Sequence, residues 1–409
     1  MKIWIKYLIG IAFGFILSFV LPAENPAVRE IAATVSSLLT NFGRYALYPV
    51  LFFSFAVSVY ELRESRSLFK TGLLSALVIA AATVLCAVTG VIGALIYTPA
   101  RIPIFIEGAG DARQIGIWES LGKLFPASAF EVFSDGAFIL PLCIFAGFLG
   151  AGCAVDKTTA KPVLAFFDSF SRVAYAVLGF FVDILSVGFI GISVYWFFLY
   201  REMLSYGFFL NFILILAAHV VFLAVVVYPL LLRFICGVKQ PYRVLYASLA
   251  PVAAAFFSGD ANLTLSVLLR HVNESLGVRR RISSIVTPMF SAFSRGGSAL
   301  TVIISFMVIL HSYSSLGISF SDILWLTGTS ILLSFFLARF PAGGAYVLLA
   351  TICAMYGRGF EAGYLILRPA AFFICSAAAA VDALTAVFGT CLIAQKMNMR
   401  NSQETRFFI

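Results

Sequence analysis

Three of the ionisable side chains inside the long apolar stretches of this sequence are candidates for chemistry, because a charge there is costly unless it is paired or used. Arg295 lies in "SAFSRGGSALTVII", Asp382 in "AAAAVDALTA" and Asp260 in "FFSGDANLTLS". A guanidinium and two carboxylates can bind a charged or zwitterionic solute, hold a coupling cation or carry a proton. Each also has a structural interpretation, because Arg295 could lock two segments together and Gly-Asp-Ala-Asn is ordinary turn chemistry.

The composition indicates that these side chains are positioned by membrane helices. Of the 409 residues, 61% are hydrophobic and 11% are charged, whereas an ordinary soluble domain carries roughly 25% charged residues. We therefore predict an all-α polytopic membrane protein. The net charge of +9 is typical of basic cytoplasmic loops, so we expect no nucleic-acid partner.

The sequence gives little support for disulfide bonds, a metal site or enzymatic catalysis. The seven cysteines form no CxxC pair and the three histidines are scattered, so the sequence predicts neither a disulfide framework nor a histidine metal site. It contains no Ser-His-Asp arrangement and no phosphate-binding loop. We expect that the protein is not an enzyme and has no cofactor.

Apolar stretches long enough to cross a bilayer predict eight spans and two further regions that are interrupted near their middle. The predicted spans are 4–21, 36–60, 71–98, 138–155, 163–199, 207–235, 283–311 and 363–395. The interrupted regions are 244–270, broken at "SGDAN", and 321–357, broken at "FPAGGA". Loops rich in Lys and Arg alternate with loops poor in them, which indicates that both termini are cytoplasmic.

The interrupted regions predict two re-entrant hairpins that enter the membrane from opposite faces. The arginine run 279–281 precedes the span 283–311, so a cytoplasmic run requires region 244–270 to leave and re-enter on one side. Non-helical backbone is tolerated at membrane depth only where it is buried in protein or lines a cavity. Paired interruptions of this kind are the best sequence indication of a transporter's substrate site.

This order of elements resembles the dicarboxylate/amino acid:cation symporters, the family that includes the glutamate transporters. "YPVLFFSFAVSV" is similar to the family's second helix, "FPASAFEVFSDGAFILPLCIFAGFLGAG" to the stretch leading into its fourth, and "AVDALTAVFGTCLIAQK" to the end of its last. "SRGGSAL" stands where the family has Asn-Met-Asp-Gly-Thr-Ala-Leu, and "FPAGGA" resembles the tip of its second hairpin. The resemblance implies a glutamate-transporter-like fold with eight transmembrane helices, two re-entrant helical hairpins and inverted repeats.

The resemblance also implies a homotrimer in which a transport domain moves against a scaffold, and a division of the chain. Residues 1–70 would form scaffold helices 1 and 2, and 71–136 helix 3 with a long outer loop. Residues 137–240 would form helices 4 and 5 of the scaffold and trimer contact, then helix 6 of the transport domain. Residues 241–409 would form the transport core, with hairpin 1, helix 7, hairpin 2 and helix 8. We expect a multi-pass protein of a bacterial inner (plasma) membrane, with membrane lipid as a partner.

The family's functional residues are largely replaced in this chain. The residues at its substrate-binding positions and their neighbours are Asp260, Ala261 and Asn262 in the first hairpin, Ser294, Arg295 and Ser298 in helix 7, Ala342, Gly343 and Gly344 in the second hairpin, and Cys375, Ala378 and Asp382 in helix 8. The family's two cation-ligating aspartates fall on Gly296 and Ala386. What remains is a degenerate cation site near Ser294, Gly296, Asp382 and Ala386.

The loss of both aspartates weakens any sodium site, since such sites need several oxygens and usually carboxylates. The guanidinium of Arg295 also repels a mobile cation. We therefore hypothesise that Arg295 replaces a bound sodium and pairs with Asp260 or Asp382, because a charge buried at this depth needs a partner. Asp382 is also a candidate proton carrier, so sodium and proton coupling both stay open.

Two functions follow from these features. The first is a secondary active transporter, symporter-like and working by an elevator movement, with altered or lost sodium coupling. Its substrate is a small organic solute, with an amino acid or a dicarboxylate among the options. The alternative is a non-transporting sensor or degenerate paralogue on the same scaffold, which the missing ligands favour.

The remaining charges in apolar stretches have structural interpretations. Asp168 and Arg172 are four residues apart on one helix and are expected to pair with each other. Arg44 and Arg368 lie toward the ends of apolar stretches and are interpreted as interfacial anchors. Arg339 has two interpretations, contact with a ligand or lipid headgroup and extension of its charged end to the membrane surface, of which the second is favoured.

Overall fold

The computed structural model describes residues 2–97, 101–103, 113–134, 136–313, 318–401 and 403–409. Part of the predicted outer loop within 71–136 lies outside these residues. The two isolated β-bridges among the described residues, Asp260 with Ala342 and Val278 with Arg400, are not extended into a sheet. The predicted all-α class is confirmed.

The α-helices of the described residues are α1 (Ile3–Val20), α2 (Pro26–Arg44), α3 (Leu47–Glu64), α4 (Leu68–Ile96), α5 (Ile117–Gly122), α6 (Glu131–Ser134), α7 (Ile139–Cys153), α8 (Lys157–Ser205), α9 (Leu210–Phe222), α10 (Tyr228–Cys236), α11 (Tyr242–Ser258), α12 (Ala261–Glu274), α13 (Arg280–Phe293), α14 (Gly296–Tyr313), α15 (Phe320–Ser334), α16 (Gly344–Tyr356) and α17 (Ala371–Lys396). A π-helical turn, Leu223–Val227, joins α9 to α10. Turns of 3₁₀ helix, Phe335–Arg339 and Gly363–Ala370, follow α15 and precede α17, and another lies at Thr405–Phe407.

The helices match the predicted spans closely. Eight helical segments of the described residues are long and apolar enough to cross a membrane. Seven of them correspond to predicted spans, and the eighth, Phe320–Arg339, is the first arm of the second hairpin. The predicted span 138–155 is α7, which has 15 residues. The chain is a multi-pass integral membrane protein.

Both interrupted regions form helical hairpins, and Asp260 and Pro341 at their tips are buried. The first hairpin is α11 and α12, joined at Gly259, whose φ of +60° favours glycine. The second is α15 and α16, joined through Pro341 to Gly343, whose φ is +74°. The tips meet, because the Ala261 backbone N–H donates to the carbonyl oxygen of Pro341 at 2.9 Å. This contact satisfies backbone groups that a membrane interior would otherwise leave unpaired.

The predicted break at Arg295 is present. Helix α13 ends at Phe293 and α14 begins at Gly296, so Ser294 and Arg295 link the two helices of one candidate span, Arg280–Tyr313. Both linking residues are buried. The break leaves the first backbone N–H groups of α14 without partners inside that helix.

We use the term terminal face for the end of the molecule where both chain termini lie. There Lys2 donates to the carbonyl oxygen of Thr405 at 2.8 Å, and Lys157 donates to Glu64 at 3.0 Å. The carbonyl oxygen of Gly277 accepts from the Asn401 N–H at 2.9 Å, so the chain end packs beneath the first hairpin. The other end is called the opposite face.

The interior contains two large apolar cores. One is built mainly from α1, α3, α7 and α8, with Ala250, Ala254 and alternate residues of α12. The larger one is built mainly from α4, the α9–α10 segment, and α13 to α17. The Arg295 break lies on the segment that runs through the larger core, so that core fixes its surroundings.

Candidate functional site

The charged centre of the site is an ion pair between the broken helix and the last helix. Arg295 Nη1 lies 3.7 Å from Asp382 Oδ2, and the side chains are 7% and 11% exposed. Arg295 Nε is buried and has no hydrogen-bond partner. Of the two candidate partners, Asp260 and Asp382, Arg295 therefore pairs with Asp382. Its Nε–H group is still available to donate a further hydrogen bond.

Asp382 is held in place by the start of α14. Its Oδ1 accepts from the Gly297 backbone N–H at 2.7 Å, and its Oδ2 from the Ser298 hydroxyl at 3.4 Å. A carboxylate is stabilised at a helix N-terminus because the first N–H groups are unpaired and the helix dipole is positive there. The break at Arg295 thus creates the N-terminus that receives Asp382.

Gly297 is required by the closeness of α14 to α17. A Cβ at this position would lie 2.3 Å from the carbonyl oxygen of Ala378 and 2.9 Å from Asp382 Oδ1. Gly296 instead packs against α4, where a Cβ would lie 3.1 Å from Cys86 Cβ. The glycine pair therefore lets α14 fit between α4 and α17.

Asp260, the other candidate partner of Arg295, pairs with Arg44 instead. Its Oδ1 accepts from the Leu263 backbone N–H at 2.8 Å and so caps α12. Its Oδ2 lies 3.3 Å from Nη1 of Arg44, a residue of α2. Arg44 is therefore an ion-pair partner of the first hairpin tip, and its interpretation as a simple interfacial anchor was incomplete.

Other residues of the first hairpin are engaged structurally. The Asn262 side-chain amide donates to the carbonyl oxygen of Ala137 at 2.9 Å, which ties the hairpin to the segment before α7. Ala261 donates its N–H to the second tip, and its own carbonyl accepts from the Ser291 hydroxyl at 3.4 Å. Ser294 is fully buried, and its hydroxyl has no hydrogen-bond partner.

A small pocket lies between the first hairpin, the break and α17. Its volume is about 20 Å³, which is room for about one water molecule. Arg295 and Asp382 supply its charge, and its remaining lining is mostly small or apolar, namely Ala261, Thr264, Leu268, Ser291, Ala379, Ala383 and Ala386. We call this the charged pocket.

The second-hairpin candidates line a separate cavity on the side of the tips that faces α8. This tip cavity has a volume of about 340 Å³ and contains Ala342, Gly343 and Cys375. Much of its remaining lining is aromatic, with Tyr195, Trp196, Phe257, Tyr346 and Phe372. Gly344 is the first residue of α16, and Ala378 is buried one turn beyond Cys375. Of the twelve predicted substrate-binding residues, three line the charged pocket and three line the tip cavity, whereas Asp260, Asn262, Ser294, Ser298, Gly344 and Ala378 line neither.

The expected degenerate cation site has few possible ligands. No group of three or more His, Cys, Asp or Glu side chains that could hold a metal ion occurs among the described residues. Ser294, Gly296 and Ala386 bring no carboxylate, and the Asp382 carboxylate is occupied by Arg295 and the start of α14.

Two contacts near the tips were not predicted from the sequence. Arg339 pairs with Glu119 of α5 at 2.7 Å, where the hydrogen bond from Arg339 lowers the pKa of the Glu119 carboxyl. Trp196 of α8 donates its indole N–H to the Ser376 hydroxyl of α17 at 3.0 Å. Both contacts join segments far apart in the chain, and local sequence carries no signal for either. The predicted pair of Asp168 and Arg172 is present at 3.0 Å.

Comparison with known proteins identifies the family to which this architecture belongs. Residues 2–396 match the Sodium:dicarboxylate symporter family. The chain is 21% identical over 366 residues to a C4-dicarboxylate transport protein of Anaeromyxobacter sp. (strain K), covering 87% of this chain and 80% of that protein. It is 27% identical over 219 residues to Neutral amino acid transporter B(0) of Oryctolagus cuniculus, covering 52% of this chain and 39% of that protein.

These matches agree with the resemblance in the sequence motifs and with the expectation that the protein is not an enzyme. The match extends from the first helix to the end of α17, so it includes both hairpins and the Arg295 break. The chain belongs to the sodium:dicarboxylate symporter family.

Proposed function

We propose that this protein is a secondary active transporter of a small zwitterionic solute of the amino-acid class, with altered or lost sodium coupling. The observation that supports it is the Arg295–Asp382 pair in the charged pocket. Arg295 offers its unpaired Nε–H to a solute carboxylate. Asp382 already contacts Arg295, Gly297 and Ser298, and it offers the acceptor site that these contacts leave to a solute ammonium. The name of one relative, a neutral amino acid transporter, is consistent with this class.

Charge balance in the pocket favours a zwitterion over a dicarboxylate. One cation and one anion line the charged pocket, so a zwitterion leaves it neutral. A dicarboxylate adds two negative charges beside Asp382, with one guanidinium to balance them. Charges brought out of water need close compensation, so that arrangement is disfavoured.

Arg295 takes the place of a coupling cation in this proposal. The family's cation-ligating aspartates are replaced by Gly296 and Ala386, and the guanidinium supplies a fixed positive charge beside them. Because Asp382 already has a cation within 3.7 Å, a free monovalent cation is repelled, whereas the ammonium of a zwitterion arrives with a carboxylate that balances its charge. Coupling would then come from protons, because the membrane potential does no net work on a solute without net charge.

Transport also requires movement. The charged pocket has room for about one water molecule in this structure, so it must enlarge before a solute can bind. Ala261 lines this pocket and donates to Pro341 of the second tip, so we infer that this tip contact opens when a solute enters. Gly343, with positive φ and no atom within 4 Å of its Cβ position, is a suitable hinge in the second tip. We infer an elevator movement of the 241–409 core, together with α4 and the α9–α10 segment, against the scaffold helices α1 to α3, α7 and α8.

We further propose a homotrimer in a bacterial inner membrane, with the terminal face in the cytoplasm. The basic residues that support this orientation include Arg233, Lys239, Arg243 and Lys396. Basic residues accumulate in cytoplasmic segments next to spans. Cross-linking of the protein in membranes and labelling of a cysteine added after Ile409 test these two points separately.

Thermal unfolding of the detergent-purified protein tests the substrate class. Neutral amino acids, C4 dicarboxylates and simple amines are each added with and without sodium. A ligand at 100 times its Kd stabilises the protein by about 2.7 kcal/mol. We expect stabilisation by neutral amino acids that is independent of sodium and lost in Arg295→Gln, while Arg172→Gln serves as a control outside the site.

A second candidate substrate class is a dicarboxylate, which the name of the Anaeromyxobacter relative supports. Stabilisation by succinate alone would replace the zwitterion proposal with this one. Uptake into liposomes then tests coupling, and a steep dependence on a sodium gradient contradicts the role given to Arg295. If none of these solutes stabilises the protein or is taken up, the result favours the non-transporting alternative.

A further inference from the structure

An apolar groove runs along the outer side of α4, α10 and α17, away from both cavities of the candidate site. It encloses about 490 Å³ and is lined almost entirely by aliphatic side chains and Phe388. Two of its lining residues, Leu77 and Ile235, are 60% and 49% exposed although they belong to membrane-spanning segments. The groove therefore opens toward the hydrocarbon of the bilayer.

The length of the groove matches one leaflet of a membrane. Its lining on α4 extends from Leu74 to Leu85, a rise of about 17 Å at about 1.5 Å per residue. Its lining on α17 extends equally far, from Thr385 to Lys396. The hydrocarbon core of a bilayer is about 30 Å thick, so half of it is about 15 Å. The groove thus spans one leaflet, starting at the terminal face.

A positive charge lies at the terminal-face end of the groove. The exposed Lys396 lines that end, and within the described residues its ammonium makes no hydrogen bond or ion pair. Lys70 follows the same helical stripe of α4, one turn before Leu74. Neither α4 nor α10 contains an acidic residue, and Asp382 of α17 is about 21 Å further along that helix. The end of the groove is therefore suited to an anionic group.

The deep end of the groove offers no free polar group to a ligand. The Tyr228 hydroxyl is bonded to the Thr385 hydroxyl and lies 3.4 Å from Cys86 Sγ. These polar atoms satisfy each other, so the end that lies near the middle of the bilayer accepts apolar material.

We propose that this groove is a binding site for an anionic phospholipid of the leaflet at the terminal face. One acyl chain lies in the groove, and the phosphate lies at Lys396 with Lys70 nearby. The chain supplies apolar burial, and the headgroup supplies the preference for an anionic lipid, as basic positions next to membrane spans do in general. The occupied groove would join α4 and α10 to α17, the helix that carries Asp382.

Native mass spectrometry of the full-length protein in mixed phosphatidylglycerol and phosphatidylethanolamine nanodiscs tests this site. We expect retained phosphatidylglycerol, reduced about fivefold in Lys396→Gln, since one basic residue near the surface contributes about that factor. Filling the groove with Ala81→Phe should abolish retention. Lys239→Gln and Val84→Phe, which change a terminal-face lysine and an exposed α4 residue outside the groove, are the matched controls.

Three outcomes overturn the proposal. The first is equal retention of the two lipids, because the headgroup charge then has no role. The second is an equal effect of Lys396→Gln and Lys239→Gln, which indicates nonspecific surface attraction. The third is displacement of the lipid by inorganic phosphate at equal concentration, which indicates a free-phosphate site without a chain. Loss of lipid in Ala81→Phe with an unchanged elution volume and unfolding temperature supports the groove itself.

Discussion

The pair between Arg44 and Asp260 predicts a coupling between α2 and the first hairpin tip that can be measured directly. The Asp260 side chain is 2% exposed and has two roles, since one oxygen caps α12 and the other faces Arg44. Asp260→Asn keeps the cap, because Asn and Asp are about equal at that position. It removes the charge that Arg44 meets. Asp260→Ala removes both contacts.

The magnitudes follow from the geometry of the two contacts. A hydrogen bond to a charged group contributes about 1.5–3 kcal/mol. The Arg44 side chain is 27% exposed and the distance is 3.3 Å, so we take the lower end, about 1.5 kcal/mol, for Asp260→Asn. Loss of the cap adds about 1 kcal/mol. Asp260→Ala should therefore be destabilised by about 2.5 kcal/mol.

A double-mutant cycle separates this pair from the other contacts of Arg44, which also donates to Asn41 at 2.5 Å. Unfolding in detergent is measured for the wild type, Arg44→Gln, Asp260→Asn and the double variant. We expect the double variant to be less destabilised than the sum of the single variants by about 1.5 kcal/mol. Additive effects would refute the ion pair, and equal destabilisation by Asp260→Asn and Asp260→Ala would refute the cap.

Three further predictions concern close packing and an exposed contact. Gly150→Ala should strongly lower the unfolding temperature, because a Cβ there would lie 2.2 Å from a backbone oxygen of α3; Gly152→Ala, with nothing within 4 Å, is the matched control and should change little. Gly297→Ala should impair both folding and ligand-induced stabilisation, because its Cβ would lie 2.3 Å from a carbonyl of α17; unchanged binding and stability would contradict the described fit of α14. The contact between Glu119 and Arg339 should be lost at low pH. The folded-state pKa of Glu119 is lowered, so the contact is present above the ordinary carboxyl pKa and is lost as the pH falls through the lowered value. Spin-label distances between α5 and the second hairpin check this, and a distance that is still pH-dependent in Glu119→Gln contradicts it.

Most of the fold could be predicted from the sequence because its determinants are local. Spans follow from runs of apolar residues, and the two hairpin tips follow from Gly, Pro and polar residues that interrupt such runs. The break at Arg295 was predicted for the same reason, since a charge followed by two glycines weakens a helix wherever that helix packs.

The site could be predicted only in part. Arg295 and Asp382 were identified because ionisable residues at membrane depth are rare and need partners. That Gly297 would donate its N–H to Asp382 could not be derived, because it depends on how close α14 and α17 come. The role of Arg44 was underestimated because a cation near a span end usually marks the interface, and its partner is 216 residues away.

The sequence by itself determined that this chain is a membrane protein with eight spans and two interrupted hairpins, and it placed buried charges on three of those elements. The apolar character of a span and the hydrogen bonds within a helix depend on residues that are close in sequence, so they leave a pattern that can be read along the chain. The tertiary structure decided which charges meet. Arg295 pairs with Asp382, and Asp260 pairs with Arg44. Electrostatic pairing depends on distance in space, and helix packing alone sets the distance between residues so far apart in the chain.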